Sequence, residues 1–155
     1  MQKKELDFSN LNESSLNTVN ELHALFPHWK RISVLKKIKK TLKGEDLRFV
    51  AKADGKIIAH MKVMIGKGIH KHRAEMTSLI VHPGHRKKGL GLGLVKFTLK
   101  NVPDKINLVI LSVDRKNKAA ISLYKKAGFT SYGMLKGASF VKGKFTDNYL
   151  MQKRI

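Results

Sequence analysis

Apolar residues recur at helical spacing over residues 9–26, at Leu11, Leu16, Val19, Leu22, Leu25 and Phe26. Ser9 and Asn10 are the predicted N-caps of this helix, and Pro27 ends it. A second helix is predicted over residues 33–42, with Val34, Leu35, Ile38 and Leu42 on one face, lysines on the other, and Gly44 as its stop. A short basic amphipathic helix suits a membrane surface or a nucleic acid. Its commoner use is to cover one face of a sheet, and that is the expectation here.

From Leu47 the pattern becomes strand-like. Leu47–Ala53 and Lys56–Ile65 flank Asp54-Gly55, a strong hairpin turn. Residues 66–71 read as a basic loop, residues 74–82 as a strand ended by Pro83, and residues 84–90 as a basic loop containing glycine. A helix follows over residues 91–101, with Leu94, Val95, Thr98 and Leu99 on its inner side. Residues 106–113 are almost continuously apolar, which predicts a strand buried on both faces. Residues 117–127 read as a helix stopped by Gly128, residues 129–135 as a strand, 136–144 as a loop or hairpin, and 146–152 as a final strand. The predicted order is two helices, three strands, helix, strand, helix, two strands. That is an α/β or α+β domain. With no internal repeat and no linker, residues 1–155 read as one domain.

Composition narrows the chemistry. With no Cys, a disulfide scaffold, a thiolate metal site and a cysteine nucleophile are all excluded. No H-E-x-x-H pattern occurs among the 7 His, and no metal is expected. No apolar run approaches the roughly 18 residues that span a bilayer, and residues 1–10 carry no apolar signal core. A soluble, cytoplasmic protein with no membrane partner is the expectation. The net charge of +21 is concentrated in the second part of the chain: residues 55–155 hold 21 basic and 4 acidic groups. Such a field attracts nucleic acid, acidic proteins or phosphorylated small molecules. Lysines outnumber arginines 26 to 6, however, and lysine is the ordinary solvated surface cation.

The informative stretch runs from Leu79-Ile80-Val81-His82-Pro83 through Gly84-His85-Arg86-Lys87-Lys88 to Gly89-Leu90-Gly91-Leu92-Gly93. A strand ends, a short loop follows, and a helix begins among glycines. Glycine lets an anion approach the backbone closely. The N–H groups of the helix N-terminus face such an anion, with the positive end of the helix dipole behind them. Arg86, Lys87 and Lys88 add charge at the same place, so a diphosphate site is predicted. It is not a P-loop, because G-x-x-x-x-G-K-[ST] is absent. Gly89, Gly91 and Gly93 also lack the G-x-G-x-x-G spacing of a dinucleotide fold.

This loop resembles the signature [R/Q]-x-x-G-x-[G/A] of the GCN5-related N-acetyltransferase (GNAT) family, here Arg86-Lys87-Lys88-Gly89-Leu90-Gly91. Residues 117–129, Asn117-Lys118-Ala119-Ala120-Ile121-Ser122-Leu123-Tyr124-Lys125-Lys126-Ala127-Gly128-Phe129, are similar to the family's second cofactor segment, N-x-x-A-x-x-[L/F]-Y-x-x-x-G-F. The resemblance covers residues 47–155 well and the N-terminal helices in outline. It implies a mixed, mostly antiparallel central sheet flanked by helices, with acetyl-CoA as cofactor and a primary amine as acceptor.

It also implies roles for individual residues. Backbone N–H groups of Lys87, Lys88, Gly89, Leu90, Gly91 and Leu92, with Arg86 beside them, would bind the pyrophosphate. Leu79, Ile80 and Val81 would pair their strand edge with the pantetheine arm and supply an N–H to the thioester carbonyl. Asn117 would bind the arm from the other side, and Ala120 would keep its helix close. Tyr124 would be the general acid that protonates the departing thiolate, although its position also suits a packing aromatic. Glu75, eleven residues before Arg86, sits where some lysine acetyltransferases of the family place their catalytic Glu. It would be the general base, or else an ion-pair partner in a basic stretch. His82 and His85 would be alternatives that relay a proton through water. N-terminal acetyltransferases acting on ribosomal proteins carry a Glu where this chain has Ser112, a departure that counts against that branch.

Acceptor specificity is expected from the N-terminal helices and from residues 66–73 and 136–144. Few acidic groups (Glu13, Glu21, Glu45, Asp46, Glu75, Asp147) stand where they would line a pocket for a polyamine or an aminoglycoside. An amino acid or other carboxylate-bearing amine, a peptide N-terminus, or a lysine of an acidic protein is therefore expected. The alternative is a binding module of the same fold that holds nucleic acid or the ribosome through its basic surface. Monomer and homodimer are both open.

Overall fold

The computed structural model describes residues 6–12 and 15–155, and at Leu16 the backbone only. Among the described residues, seven strands and four helices follow one another in the order β1 (Leu6–Asn10), α1 (Leu16–Leu25), α2 (Arg31–Leu42), β2 (Leu47–Ala53), β3 (Lys56–Ile65), β4 (Arg73–Val81), α3 (Leu90–Asn101), β5 (Leu108–Asp114), α4 (Lys118–Lys126), β6 (Thr130–Val141) and β7 (Lys144–Arg154). The strands form one sheet in the order β1-β2-β3-β4-β5-β7-β6. Every neighbouring pair is antiparallel except β4 and β5. This is the mixed, mostly antiparallel sheet flanked by helices that was expected.

Strand alternation divides the apolar residues between two cores. Phe49, Met61, Met76, Val109 and Met151 face one side of the sheet, where α3 adds Leu94 and Val95 and α4 adds Tyr124. Val50 and Ile57 face the other, under Val19, Leu22 and Leu25 of α1 and Val34 and Ile38 of α2. The basic amphipathic helix α2 is thus a cover for the sheet, although Leu42, read as part of its inner face, is exposed.

Two expectations need correction, and a third resolves to the hairpin among its alternatives. Ser9 and Asn10 are not helix caps. They belong to β1, which pairs with β2 from Leu6↔Ala53 to Asn10↔Phe49, and the hydroxyl of Ser15 caps α1 by accepting from the Thr18 N–H at 3.2 Å. A strand of five residues holds only two apolar positions, Leu6 and Phe8, too few for its period to show. Second, β5 is buried on one face only. Val109, Leu111 and Val113 are inside, whereas Ser112 on the opposite face is exposed, because α1 and α2 sit over the other half of the sheet. Third, residues 136–141 extend β6, which turns at Lys142-Gly143 into β7.

The parallel pair positions the site. β4 and β5 are in register only at Arg73↔Leu108, Ala74↔Val109 and Glu75↔Ile110. Beyond Glu75 the two strands part, so the edge of β4 from Met76 to Val81 faces a gap rather than a partner. β4 also bulges there. Opposite β3, Lys62 pairs with Thr77 and His60 with Ile80, so Ser78 and Leu79 together oppose Met61. Ser78 takes a left-handed backbone, φ 54°, which a serine adopts only where its surroundings enforce it.

Candidate active site

The open end of the gap leads into the glycine loop. After β4, Pro83–His85 makes one 3₁₀ turn, and Lys87 (φ 59°) and Gly89 (φ 76°) turn the chain into α3. Gly89 is the N-cap and offers no side chain to the first N–H groups of α3, which lack intrahelical partners. A Cβ built on Gly89 would meet open space, so an incoming group has room against the backbone. Gly91 is closed in instead: its Cβ would lie 2.9 Å from Leu123 Cδ1 and 3.6 Å from Val81 Cγ2, so its bareness lets α3 approach α4 and β4. Arg86 and Lys88 are tied back into the loop. Arg86 Nε donates to Val81 O at 2.9 Å and Lys88 Nζ to Gly84 O at 3.1 Å, which holds two cations beside the helix N-terminus. Room at Gly89, uncapped N–H groups and fixed cations all suit a diphosphate. His82 is occupied in the same turn: its Nδ1 accepts from the Gly84 N–H at 3.3 Å.

On the far side of the gap, α4 starts at Asn117, whose Oδ1 accepts from the Ala120 N–H at 3.0 Å. The side-chain oxygen is therefore spent on capping, and the amide nitrogen is what remains for a cofactor arm. Two turns on, Tyr124 is 8% exposed and meets Phe129 edge-on at 5.8 Å. The ring is thus a packing aromatic of the core. Burial pushes its pKa up to about 12, so the phenol stays protonated and is able to donate.

Glu75 sits at the vertex where β4 and β5 part, and lines a cavity of about 110 Å³ with Met64, Arg73 and Ile110. None of the ion pairs recorded among the described residues includes Glu75. On the same face, Ser112 accepts from Asn148 Nδ2 at 2.9 Å. A larger cavity, about 320 Å³, opens between the α1–α2 connection and the end of β4, lined by residues 24–29, 80–83 and 86. Among the described residues no carboxylate lines it. The N-terminal helices thus reach the site, and the β6–β7 hairpin leaves the sheet at the same end. Residues 66–73 do not reach it. They connect β3 to the start of β4, and nine strand residues, about 30 Å, separate that end from the glycine loop.

Most of the acidic residues counted from the sequence are committed elsewhere. Glu21 accepts from the Ile57 N–H and Glu45 pairs with Lys40. Asp147 accepts from the Gly137 N–H at 3.1 Å and pairs with Lys136 and Arg115. The Gly137 bond first, then the cations, hold its carboxyl below the usual carboxylate range. Glu13 lies outside the described residues.

A polar group that drew no attention in the sequence underlies the bulge. Asp46, Arg48 and His60 are 5%, 4% and 0% exposed. Arg48 reaches Asp46 through Nη2 at 3.3 Å, Thr41 through Nε at 2.8 Å and His60 Nε2 through Nη1 at 2.9 Å, and His60 Nδ1 lies 3.2 Å from Ser78 O. Thr41 donates to Asp46, and Lys62 Nζ is 3.3 Å from the same carboxylate. The signal was faint: Arg48 and His60 stand between apolar neighbours, in strands that also carry Lys52, Lys56 and Lys62.

A mixed sheet with one parallel pair, parted beside a glycine-capped helix, defines a class of α+β domains that hold an elongated, phosphate-bearing cofactor along a strand edge. The sequence profile of the acetyltransferase (GNAT) family matches residues 15–129, and the chain belongs to that family, whose cofactor is acetyl-CoA. Among curated proteins it is 31% identical over 102 residues to a spermidine N(1)-acetyltransferase of Escherichia coli K12, covering 64% of this chain and 54% of that one. It is 29% identical over 113 residues to an N-alpha-acetyltransferase of Sulfurisphaera tokodaii, covering 66% of each. The chain thus spans about half the length of the spermidine enzyme. In fold it matches a ribosomal-protein-alanine N-acetyltransferase of Brucella melitensis, with TM-score 0.84, 17% identity and coverage of 97% and 99%. It also matches a Salmonella typhimurium protein solved with its cofactor acetyl-CoA, with TM-score 0.77, 16% identity and coverage of 99% and 94%. Among the described residues, no helix is long and apolar enough to cross a membrane.

Proposed function

We propose that this protein is an N-acetyltransferase that moves an acetyl group directly from acetyl-CoA to a primary amine. The parting of β4 from β5 beside the uncapped start of α3 is the observation that carries this reading. Acetyl-CoA supplies the acetyl group as a thioester. The N–H groups of residues 87–92, with Arg86 and Lys88, bind the pyrophosphate. The edge of Leu79, Ile80 and Val81 that faces the gap, where Arg86 already holds the Val81 carbonyl, binds the pantetheine amides as an added strand would be bound. An N–H of that edge polarises the thioester carbonyl. The amide nitrogen of Asn117 holds the arm from α4, and Ala120 keeps that helix close. Tyr124 donates a proton to the departing sulfur. Glu75 is the general base. It lies on the face that carries the larger cavity but about 16 Å of strand from Ile80, so the amine proton reaches it along a chain of several waters rather than through one.

The acceptor is a carboxylate-bearing amine, a peptide N-terminus or a lysine of an acidic protein. Among the described residues the larger cavity has no carboxylate, and Arg86 lies at its edge. Those features suit an anionic or neutral acceptor and work against a polycation such as spermidine.

Calorimetric titration with acetyl-CoA tests the core of the proposal. Gly89→Asp places a carboxylate at the anion site and is expected to abolish binding. Gly89→Ala carries the same backbone strain, about 1 kcal/mol, without the charge and is expected to retain it. Equal loss in both variants would move the diphosphate away from this loop, and no binding by the unaltered protein would end the acetyltransferase reading.

A further inference from the structure

Among the described residues, His60 is the one fully buried titratable side chain that the chemistry above does not use. Its hydrogen bonds fix its state. A guanidinium only donates, so the 2.9 Å contact with Arg48 Nη1 makes Nε2 the acceptor. The ring proton of the neutral imidazole is then on Nδ1 and is donated to Ser78 O at 3.2 Å. Arg48 in turn is held by Asp46 and Thr41. Phe26, on the α1–α2 connection, closes over the ring edge-on at 5.1 Å.

Ser78 is the bulged residue of β4, with φ 54°, at the point where the strand has left β5. In a planar trans peptide the C=O and the following N–H point in opposite directions. A Ser78 carbonyl drawn toward His60 on β3 therefore turns the Leu79 N–H away from β3, toward the gap. We propose that His60, anchored by Arg48 and Asp46, is a positioning residue that locks the Ser78–Leu79 peptide so that the Leu79 N–H points at the thioester carbonyl of bound acetyl-CoA. This rests on the acetyltransferase reading, and it gives the buried cluster and the strained bulge a common purpose. Burial first, then the Arg48 charge, pushes the His60 pKa down to about 3, so the ring stays a neutral donor at any working pH.

The test uses acetyl-CoA labelled with ¹³C at the carbonyl, bound to the full chain, and needs no acceptor amine. In the unaltered protein the bound carbonyl resonance is expected downfield of free acetyl-CoA, as a hydrogen-bonded carbonyl should be. His60→Asn keeps a donor near the Nδ1 position and is expected to retain the shift. His60→Gln places its polar end near Nε2, loses the donor to Ser78, and is expected to return the resonance toward the free position. Affinity for CoA itself, which has no acetyl carbonyl, should stay within about threefold in both variants. Once an acceptor is known, kcat should fall about 100-fold in His60→Gln, the scale of losing one such donor. An unchanged resonance in His60→Gln would overturn the proposal. So would ¹⁵N spectra of the unaltered protein showing the His60 proton on Nε2, a measurement that requires no variant to fold. A protein that binds acetyl-CoA with the carbonyl at its free position overturns this inference alone. One that does not bind acetyl-CoA at all overturns the acetyltransferase reading with it.

Discussion

A tyrosine whose pKa is pushed up to about 12 is a poor base but a persistent acid. Tyr124→Phe keeps the ring against Phe129 and removes only the hydroxyl. The expected result is a fall in kcat of about 10²-fold or more with little change in acetyl-CoA affinity or melting temperature. An unchanged kcat would leave Tyr124 as packing alone. His60 makes a separate prediction about stability. In the folded protein it is neutral down to about pH 3, with Arg48, Asp46 and Lys62 as the charged groups around it, whereas unfolded histidine titrates near 6.5. Between those values the unfolded state binds the extra proton. Stability is therefore flat above pH 6.5 and falls as pH drops through that window, by up to about 1.4 kcal/mol per unit from this group. Urea unfolding of the protein and of His60→Asn at pH 7, 5 and 4 should show the steeper loss in the unaltered protein. Tyr124 was legible in the sequence because it stands in a motif. His60 was not, because its partners come from two other strands and the end of α2.

Elements were legible where their period had room to repeat. α2 to α4 and β2 to β5 appear within a few residues of their expected bounds, since each places three or more apolar residues on one face, whereas α1 begins seven residues later than expected. β1 did not show, although it completes the sheet edge. Phe8 stacks on Phe97 of α3 at 5.7 Å, and a Cβ on Gly93 would come within 3.0 Å of Phe8 Cζ. This contact presses β1 against the helix that carries the glycine loop. Phe8→Ala should cost about 2 kcal/mol, less than the roughly 3–5 kcal/mol of a fully buried Phe, and lower the melting temperature by roughly 4–8 °C. A loss below 0.5 kcal/mol, on the order of an ordinary surface change, would make β1 incidental to the fold. The exposed face of β5 was misread for a related reason. A continuous apolar run shows that both faces avoid charge, but not which face a helix will cover.

Over the whole molecule, the charge of +21 acts as a field. Arg86 and Lys88 are pinned beside the α3 N-terminus, so part of that field is focused where a phosphate-bearing cofactor would bind. Acetyl-CoA affinity should weaken severalfold between about 50 and 200 mM salt. A short DNA duplex should bind weakly at the lower salt and be lost at the higher, with a steep logarithmic slope. Duplex binding that survives the higher salt and excludes acetyl-CoA would favour the nucleic-acid reading instead. The division of the sheet into two cores also belongs to this scale. The α3–α4 side backs the parted edge of β4, while the α1–α2 side leaves β5 uncovered and the larger cavity open.

The sequence by itself determined the α+β class, the order of nearly all elements, the glycine loop and the Asn117–Tyr124 helix, and through these the family. Those features are local: a period of 2 or 3.6, a turn dipeptide, a motif within one stretch of chain. The tertiary structure alone decided where β4 leaves β5, which face stays open, which carboxylates are already paired, and that Asp46, Arg48 and His60 meet beneath Ser78. Each of these depends on the distance between residues far apart in the chain, set by strand register and by which helix packs over which strand.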